Sequence, residues 1–205
     1  MKQAFDELIQ KFKLNITNLT LDCIDISHHS GSNPKAGVIR FNLNGPDKKL
    51  YRAYNIPKEL GGNDPASIAF AIKKRLEKKD EIPDIVLVDG GKKQLNAINP
   101  DILDNGILLL AIEKGSQRRA LTESVYSKNG QESIEKNSKL FSLLTKARDE
   151  AHRFAIKANR VAKRKNMQAS VLDSIRGIGP KTKERLFNKF KSINVILNSD
   201  INLLL

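Results

Sequence analysis

Two short and almost wholly apolar runs constrain this chain more than any other feature: Asp84 to Asp89 (DIVLVD) and Gly106 to Ile112 (GILLLAI). A strand wetted on one side alternates apolar with polar residues, whereas a run without alternation is covered on both faces, as in a parallel sheet between helical layers. Pro83 precedes the first run, Gly90-Gly91 ends it, and Gly106 opens the second. A helix expected from Lys92 joins them, giving a β-α-β unit with a right-handed crossover. The fold class that follows is α/β.

The flanking segments fit around that unit. Within residues 1–18, Phe5, Leu8, Ile9, Phe12 and Leu14 share one face of a short amphipathic helix. Leu19 to Ser27 (LTLDCIDIS) reads as a buried strand, Ala36 to Leu43 as a second and Lys49 to Ile56 as a third, with the turn Asn44-Gly45-Pro46-Asp47 between the last two. Together they predict an antiparallel meander ahead of the β-α-β units, so the sheet is mixed. Asp64 is the expected N-cap, and Pro65 the first residue, of a helix reaching about Lys79. Residues 114–135 are polar and receive no assignment. A long helix starts near Lys139, carries the stripe Leu140, Leu144, Ala147, Ala151, Phe154, Ala158 and Val161, and ends at the charged Lys163-Arg164-Lys165-Asn166. Beyond it come a short helix (Val171 to Ile175), the turn Arg176-Gly177-Ile178-Gly179, a helix from Pro180 to Phe190, a helical piece from Ser192 to Leu197, and a cap at Ser199-Asp200. The expected domains are a lead-in (1–18), an α/β domain (19–162), a basic linker (163–170) and a small all-α domain (171–205).

Composition narrows the partners. The longest apolar run, Ile107 to Ile112, falls far short of the roughly 20 residues needed to span a bilayer, and the N-terminus has no apolar signal region, so neither membrane nor export is expected. A single cysteine, Cys23, suits the cytoplasm and excludes a disulfide scaffold or thiolate cluster within one chain. The 36 Lys and Arg outweigh the 23 Asp and Glu by +13, and residues 146–191 hold 14 of those cations against four acidic residues. A basic excess gathered in one quarter of the chain points to nucleic acid.

Several residues have the chemistry of a site. Asp25 lies between Ile24 and Ile26 in an apolar strand, where a carboxylate is costly unless paired or bound to metal. Asp89 ends its strand at the carboxyl edge, where open α/β sheets place their sites. Singly, each aspartate reads as a cap or surface residue. On the neighbouring first and fourth strands of such a meander they become a like-charged pair that calls for a divalent cation. His152 falls at the edge of the long helix's apolar stripe, as a third ligand, a proton carrier or a packing residue, and His28 and His29 compete for the same role. Gly177-Ile178-Gly179-Pro180-Lys181 lets the backbone turn tightly and aims the N–H groups of the next helix outward, and Lys181 and Lys183 add charge; DNA phosphate, held without regard to sequence, is the expected ligand. Asp89-Gly90-Gly91-Lys92-Lys93 lacks the spacing of a phosphate-wrapping nucleotide loop, so no nucleotide cofactor is expected. Cys23 reads as a buried, inert thiol.

Four motifs in order, DISH (Asp25 to His28), LVDGGKKQL (Leu87 to Leu95), RDEAHRFA (Arg148 to Ala155) and GIGPKTKERL (Gly177 to Leu186), resemble the C-terminal half of the UvrC family, the nuclease subunit of bacterial UvrABC excision repair. The resemblance covers about residues 20–205. It implies an RNase H-like endonuclease domain followed by helix-hairpin-helix motifs, an incision on the 5′ side of a lesion in double-stranded DNA, UvrB as partner, and Asp25, Asp89 and His152 as catalytic residues and ligands of Mg²⁺ or Mn²⁺. The family's GIY-YIG nuclease and UvrB-docking segments have no counterpart in these residues, so only the 5′ activity is expected to carry over. The second hairpin is expected to be cut short at Leu205, and Lys93 stands where the family has a smaller residue. Competing expectations are a non-catalytic DNA-binding fragment, or another RNase H-like nuclease, which would have no reason to carry RDEAHRFA.

Overall fold

The computed structural model describes residues 1–15, 19–27, 34–96, 98–99, 106–114, 123–173, 175, 177–190 and 193–199. The chain divides into two compact units, Met1–Asn159 and Arg160–Leu205. The first contains helix α1 (Lys2–Phe12), strand β1 (Leu21–Ser27), β2 (Lys35–Asn42), β3 (Gly45–Pro46), β4 (Arg52–Asn55), helix α2 (Asp64–Leu76), β5 (Ile85–Asp89), α3 (Lys92–Asn96), β6 (Leu108–Glu113), β7 (Ser124–Ser127) and β8 (Gly130–Glu132). Helix α4 (Lys139–Asp173) gives its first part to this unit and the rest to the second.

The eight-stranded sheet runs β3-β2-β1-β5-β6-β7-β8, and β4 also pairs with β2. The meander is antiparallel, β1 lies parallel to β5 and β5 parallel to β6, so the mixed α/β architecture expected from the apolar runs is present. Thr20 and Asp84 pin the β1–β5 register from just outside both strands: the Thr20 amide and hydroxyl each donate to Asp84 Oδ2 at 2.8 Å.

Side-chain alternation sorts the strands into two cores. Leu21 and Cys23 of β1, Ile85 and Leu87 of β5, and Leu110 and Ile112 of β6 face α1 and α4, packing with Phe5, Leu8, Leu144, Ala147 and Ala151. Ile24, Val86, Val88 and Ala111 face the other way, against Ile68, Ala71 and Ile72 of α2 and Leu95 of α3. An 11-residue helix such as α1 is marginal alone. Full burial of Phe5 and Leu8, worth about 1.5–3 kcal/mol each, holds it to the sheet, and Glu7 Oε2 accepts the Leu140 amide at the start of α4. Asp22, wholly buried on the α2 side, accepts from Arg40 Nε and Arg75 Nε, both at 2.6 Å.

Several expectations need correction. The strand expected over Lys49 to Ile56 is β4, Arg52–Asn55 alone, because Lys48–Leu50 form a 3-10 turn begun by Asp47, whose side chain accepts the Lys49 amide. Gly45–Pro46, expected within the turn, pair with β2 as β3. The N-cap of α2 is Asn63, whose side chain accepts the Ala66 amide; Asp64 already belongs to the helix. Part of the unassigned polar stretch forms the antiparallel hairpin β7–β8. The basic segment 163–170, expected as a linker, is helical, since KRKNMQAS contains no glycine or proline to stop α4. The buried face of α4 continues through Ala155 and Asn159, with Phe154 partly buried against the same core, whereas Val161 is exposed.

In the second unit, Leu172 of α4, Leu186 of α5 (Pro180–Phe190), and Ile193 and Ile196 of α6 (Ile193–Asn198) form a small core. Gly177 adopts φ +94° in the turn before α5. Among the described residues, no helix is long and apolar enough to cross a membrane.

Candidate metal centre

Asp25 and Asp89 occupy the α4-facing column of adjacent parallel strands. The register pairs Ile24 with Val88, so the next residues, Asp25 and Asp89, stand level at the carboxyl end of β1 and β5. Alternation places both on the side of Cys23 and Leu87, beneath α4. The helix comes close there because Gly37, the β2 partner of Asp25, has no side chain: a Cβ at Gly37 would lie 2.8 Å from Ala155 Cβ. Asn159 Nδ2 donates to the Ser27 carbonyl at 2.8 Å, tying α4 to the end of β1. His152, exposed for 60% of its side chain, is thereby brought to 3.1 Å from Asp25 Oδ2 through Nδ1.

One donor atom from each of Asp25, Asp89 and His152 lies within 4.8 Å of the others. Asp25 is 6% exposed. Burial raises its carboxyl above the usual range, with the His152 charge opposing the shift. Asp89 is pushed up to about 6, first by burial and then by the charge of Asp25, against the pull of Arg148 and His152. Asp22, three residues earlier on β1, has two arginines; among the described residues no Lys or Arg salt bridge reaches Asp25 or Asp89. Two desolvated carboxylates and an imidazole converging without such a cation suit a divalent ion of the Mg²⁺ or Mn²⁺ kind.

Of the other candidates, His28 and His29 lie outside the described residues. Cys23 is buried, and burial followed by the charges of Asp89 and Asp25 pushes its thiol well up, in keeping with an inert role. Lys93 sits in α3. Gly177, Gly179, Lys181 and Lys183 all belong to the second unit, at the turn and start of α5. Gly37, Glu123 and Arg148 were not expected. Gly37 carries no local signal, because its role depends on a helix more than a hundred residues away. Arg148 and Glu123 are joined by a contact between Nη1 and Oε1 at 2.5 Å that no short motif encodes.

Residues 10–156 match the family described as the UvrC RNase H endonuclease domain. The chain belongs to this family. UvrABC system protein C of Shewanella frigidimarina is 34% identical over 98% of the chain, and that of Bacteroides thetaiotaomicron 35% identical over 95%. The chain spans about a third of the length of these curated relatives, 35% and 33% respectively. Among solved structures, the catalytic domain of human Endonuclease V resembles it at 10% identity and a TM-score of 0.42, covering 73% of this chain and 84% of that one, a likeness too distant to bear on chemistry. The UvrC RNase H endonuclease match spans all three members of the carboxylate–imidazole cluster.

Proposed function

We propose that this UvrC-family domain is a metal-dependent DNA endonuclease of bacterial nucleotide excision repair, cutting double-stranded DNA on the 5′ side of a lesion in concert with UvrB. The observation that carries the reading is the convergence of Asp25, Asp89 and His152 within 4.8 Å at the carboxyl edge of a mixed sheet.

Those three residues would hold one Mg²⁺ or Mn²⁺, which supplies Lewis acidity and an acidified water when bound. The chain's own part is positional. Asp25 and Asp89 are fixed by parallel strand pairing and carry the negative charge. Asp25 in turn orients the His152 ring through Nδ1. The exposed side of His152 leaves the cluster open to a strand of DNA.

The second unit is read as a helix-hairpin-helix: the Gly177–Gly179 turn and the first turn of α5 would hold DNA phosphates, with Lys181 and Lys183 adding charge. Its small apolar core and the left-handed Gly177 support that reading.

The test is cutting of a lesion-bearing duplex with Mg²⁺ or Mn²⁺ by the parent, Asp25→Asn and Asp89→Asn, with UvrB present. Each variant is expected to lose roughly 100-fold or more in rate while retaining the DNA affinity measured without metal. Cutting at the parent's rate by either variant would refute the shared centre.

A further inference from the structure

Helix α4 carries a second ionic side chain one turn before His152. Arg148 is only 8% exposed; its Nη1 donates to Glu123 Oε1 at 2.5 Å, while Nε and Nη2 donate to Asp149 Oδ1 at 3.1 and 2.6 Å. Residues four apart lie on one helix face, about 6 Å apart along the axis, so Arg148 and His152 overlook the same sheet edge.

Glu123 belongs to that edge as well. Val125 of β7 pairs with Ile112, which pairs with Asp89, and all three columns face α4. Glu123 lies two residues before Val125 on a strand running opposite to β6, which places it on the same face, at the carboxyl end of β5 and β6. The edge therefore bears Asp25, Asp89 and Glu123 on β1, β5 and just ahead of β7. His152 contacts the first, Arg148 contacts the last, and both charges act on Asp89 between them.

This arrangement does not maximise stability. A buried arginine is best satisfied by a two-oxygen carboxylate fork, yet Glu123 offers it one oxygen, and Glu123 Oε2 is buried with no hydrogen-bond partner among the described residues. Asp149, its other partner, has 69% of its side chain exposed. A desolvated ion pair with an orphaned oxygen is costly, and in a native protein such a group calls for a further role.

We propose that Arg148 is a catalytic residue of the cutting reaction, its guanidinium bonding a non-bridging oxygen of the phosphate seated against Asp25 and Asp89, and that Glu123 is the positioning residue that aims it. The proposal rests on the nuclease reading above. In the hydrolysis, a water oxygen bonds to phosphorus and loses its proton to solvent. The ester bond to a sugar oxygen breaks, and that oxygen takes the electron pair and then a proton. Negative charge grows on the phosphate oxygens in between. Two carboxylates and one imidazole suit a single ion, so a fixed guanidinium supplies the second positive centre that other nucleases obtain from a second metal. Arginine suits this place because it stays charged at any working pH and presents donors in a rigid fork.

The experiment compares the full chain with Arg148→Ala, Arg148→Lys and Glu123→Gln in single-turnover cutting, in Mn²⁺ binding without DNA read by electron paramagnetic resonance, and in Mn²⁺-dependent affinity for a phosphorothioate duplex that resists cutting. Arg148→Ala is expected to lose roughly 100-fold or more in rate, to keep the parent's Mn²⁺ signal, to lose the metal-dependent gain in duplex affinity, and to recover rate with added methylguanidinium. Arg148→Lys keeps charge and bulk, and so the fold if the alanine variant does not, but not the rate, for want of the fork. Glu123→Gln should lower kcat at unchanged KM without responding to methylguanidinium. Cutting by Arg148→Lys and Arg148→Ala at the parent's rate, or parental affinity for the metal-loaded phosphorothioate duplex, overturns the proposal. The duplex comparison decides alone if the parent does not cut. Full activity and Mn²⁺ binding in Asp25→Asn would instead refute the nuclease centre, a result distinct from any obtained at Arg148.

Discussion

Asp22 and Asp25 stand three positions apart on β1, on opposite faces of one sheet. Asp22 accepts hydrogen bonds from two buried arginines, which satisfies a buried anion permanently. Among the described residues Asp25 meets His152, Asp89 and the Ile26 backbone but no Lys or Arg salt bridge, so its charge is left for a ligand. This difference has a thermodynamic signature. With its carboxyl at about 6 against an ordinary 3.8, Asp89 holds a proton in the folded protein that the unfolded chain has already released between those values. The contribution is therefore complete below about pH 4 and lost as pH rises through about 6, on the order of 2–3 kcal/mol at most; Asp25, also raised, acts in the same direction. Asp89→Asn should thus raise the urea midpoint of the metal-free protein near neutral pH more than at about pH 4. Equal effects at both would contradict the buried like-charge pair. Mn²⁺ should stabilise the parent more as pH rises, because it replaces the protons, and His152→Ala should shift that titration to higher metal concentration. An unshifted titration would leave His152 a packing residue.

At the scale of elements, the centre depends on how closely α4 approaches β2. Gly37→Ala would put a Cβ 2.8 Å from Ala155 Cβ, so the helix must retreat. The expected cost is about 1–3 kcal/mol, read as a lowered denaturant midpoint, together with weaker Mn²⁺ binding as His152 moves off Asp25. The second change Ala155→Gly should not restore either, because the Ala155 Cα and backbone N lie 2.9 Å from the same Cβ. An unchanged midpoint and unchanged Mn²⁺ binding in Gly37→Ala would mean that the contact does not set the position of α4. The turn before α5 offers a complementary pair. Gly177, at φ +94°, should not tolerate a side chain without loss of stability, whereas a Cβ at Gly179 meets nothing within 4 Å. Gly179→Val is expected to leave the melting temperature unchanged yet weaken duplex binding by blocking the approach of phosphate. Undiminished affinity would remove the hairpin reading.

Over the whole molecule, charge is distributed as unevenly as chemistry. Residues 146–191 hold 14 basic and four acidic residues, +10 of the total +13, and they include all of α5 and much of α4. Binding built on such a stretch should be indifferent to base sequence and steeply salt-dependent, each phosphate contact contributing about 0.9 to the slope of log affinity against log salt on duplex DNA. Lys181→Gln with Lys183→Gln should reduce that slope by up to about two. A slope identical to the parent's would place the DNA elsewhere.

Residue pattern alone determined the α/β class, the parallel pairing of the two apolar runs, the long helix from Lys139 and the pair Asp25–Asp89, because alternation, period and strand ends are local properties of a chain. The continuation of α4 through 163–170 was legible too, in the absence of glycine and proline, although its charge reads as a linker. The hairpin β7–β8 was not: SVYS and GQE are too short and too polar to show a period, and pairing with β6 makes the outer strand. The N-cap of α2 turned on Asn63 against Asp64, a choice between neighbours of equal propensity settled by which side chain reaches the Ala66 amide. Tertiary structure alone decided what gathers around the aspartates. Thr20 meets Asp84, Gly37 admits Ala155, His152 reaches Asp25 and Arg148 meets Glu123, over separations of 25 to 127 residues wherever a hydrogen bond makes the link. Such contacts depend on the packing distance between a helix and a sheet, and no local spacing in the chain records that distance.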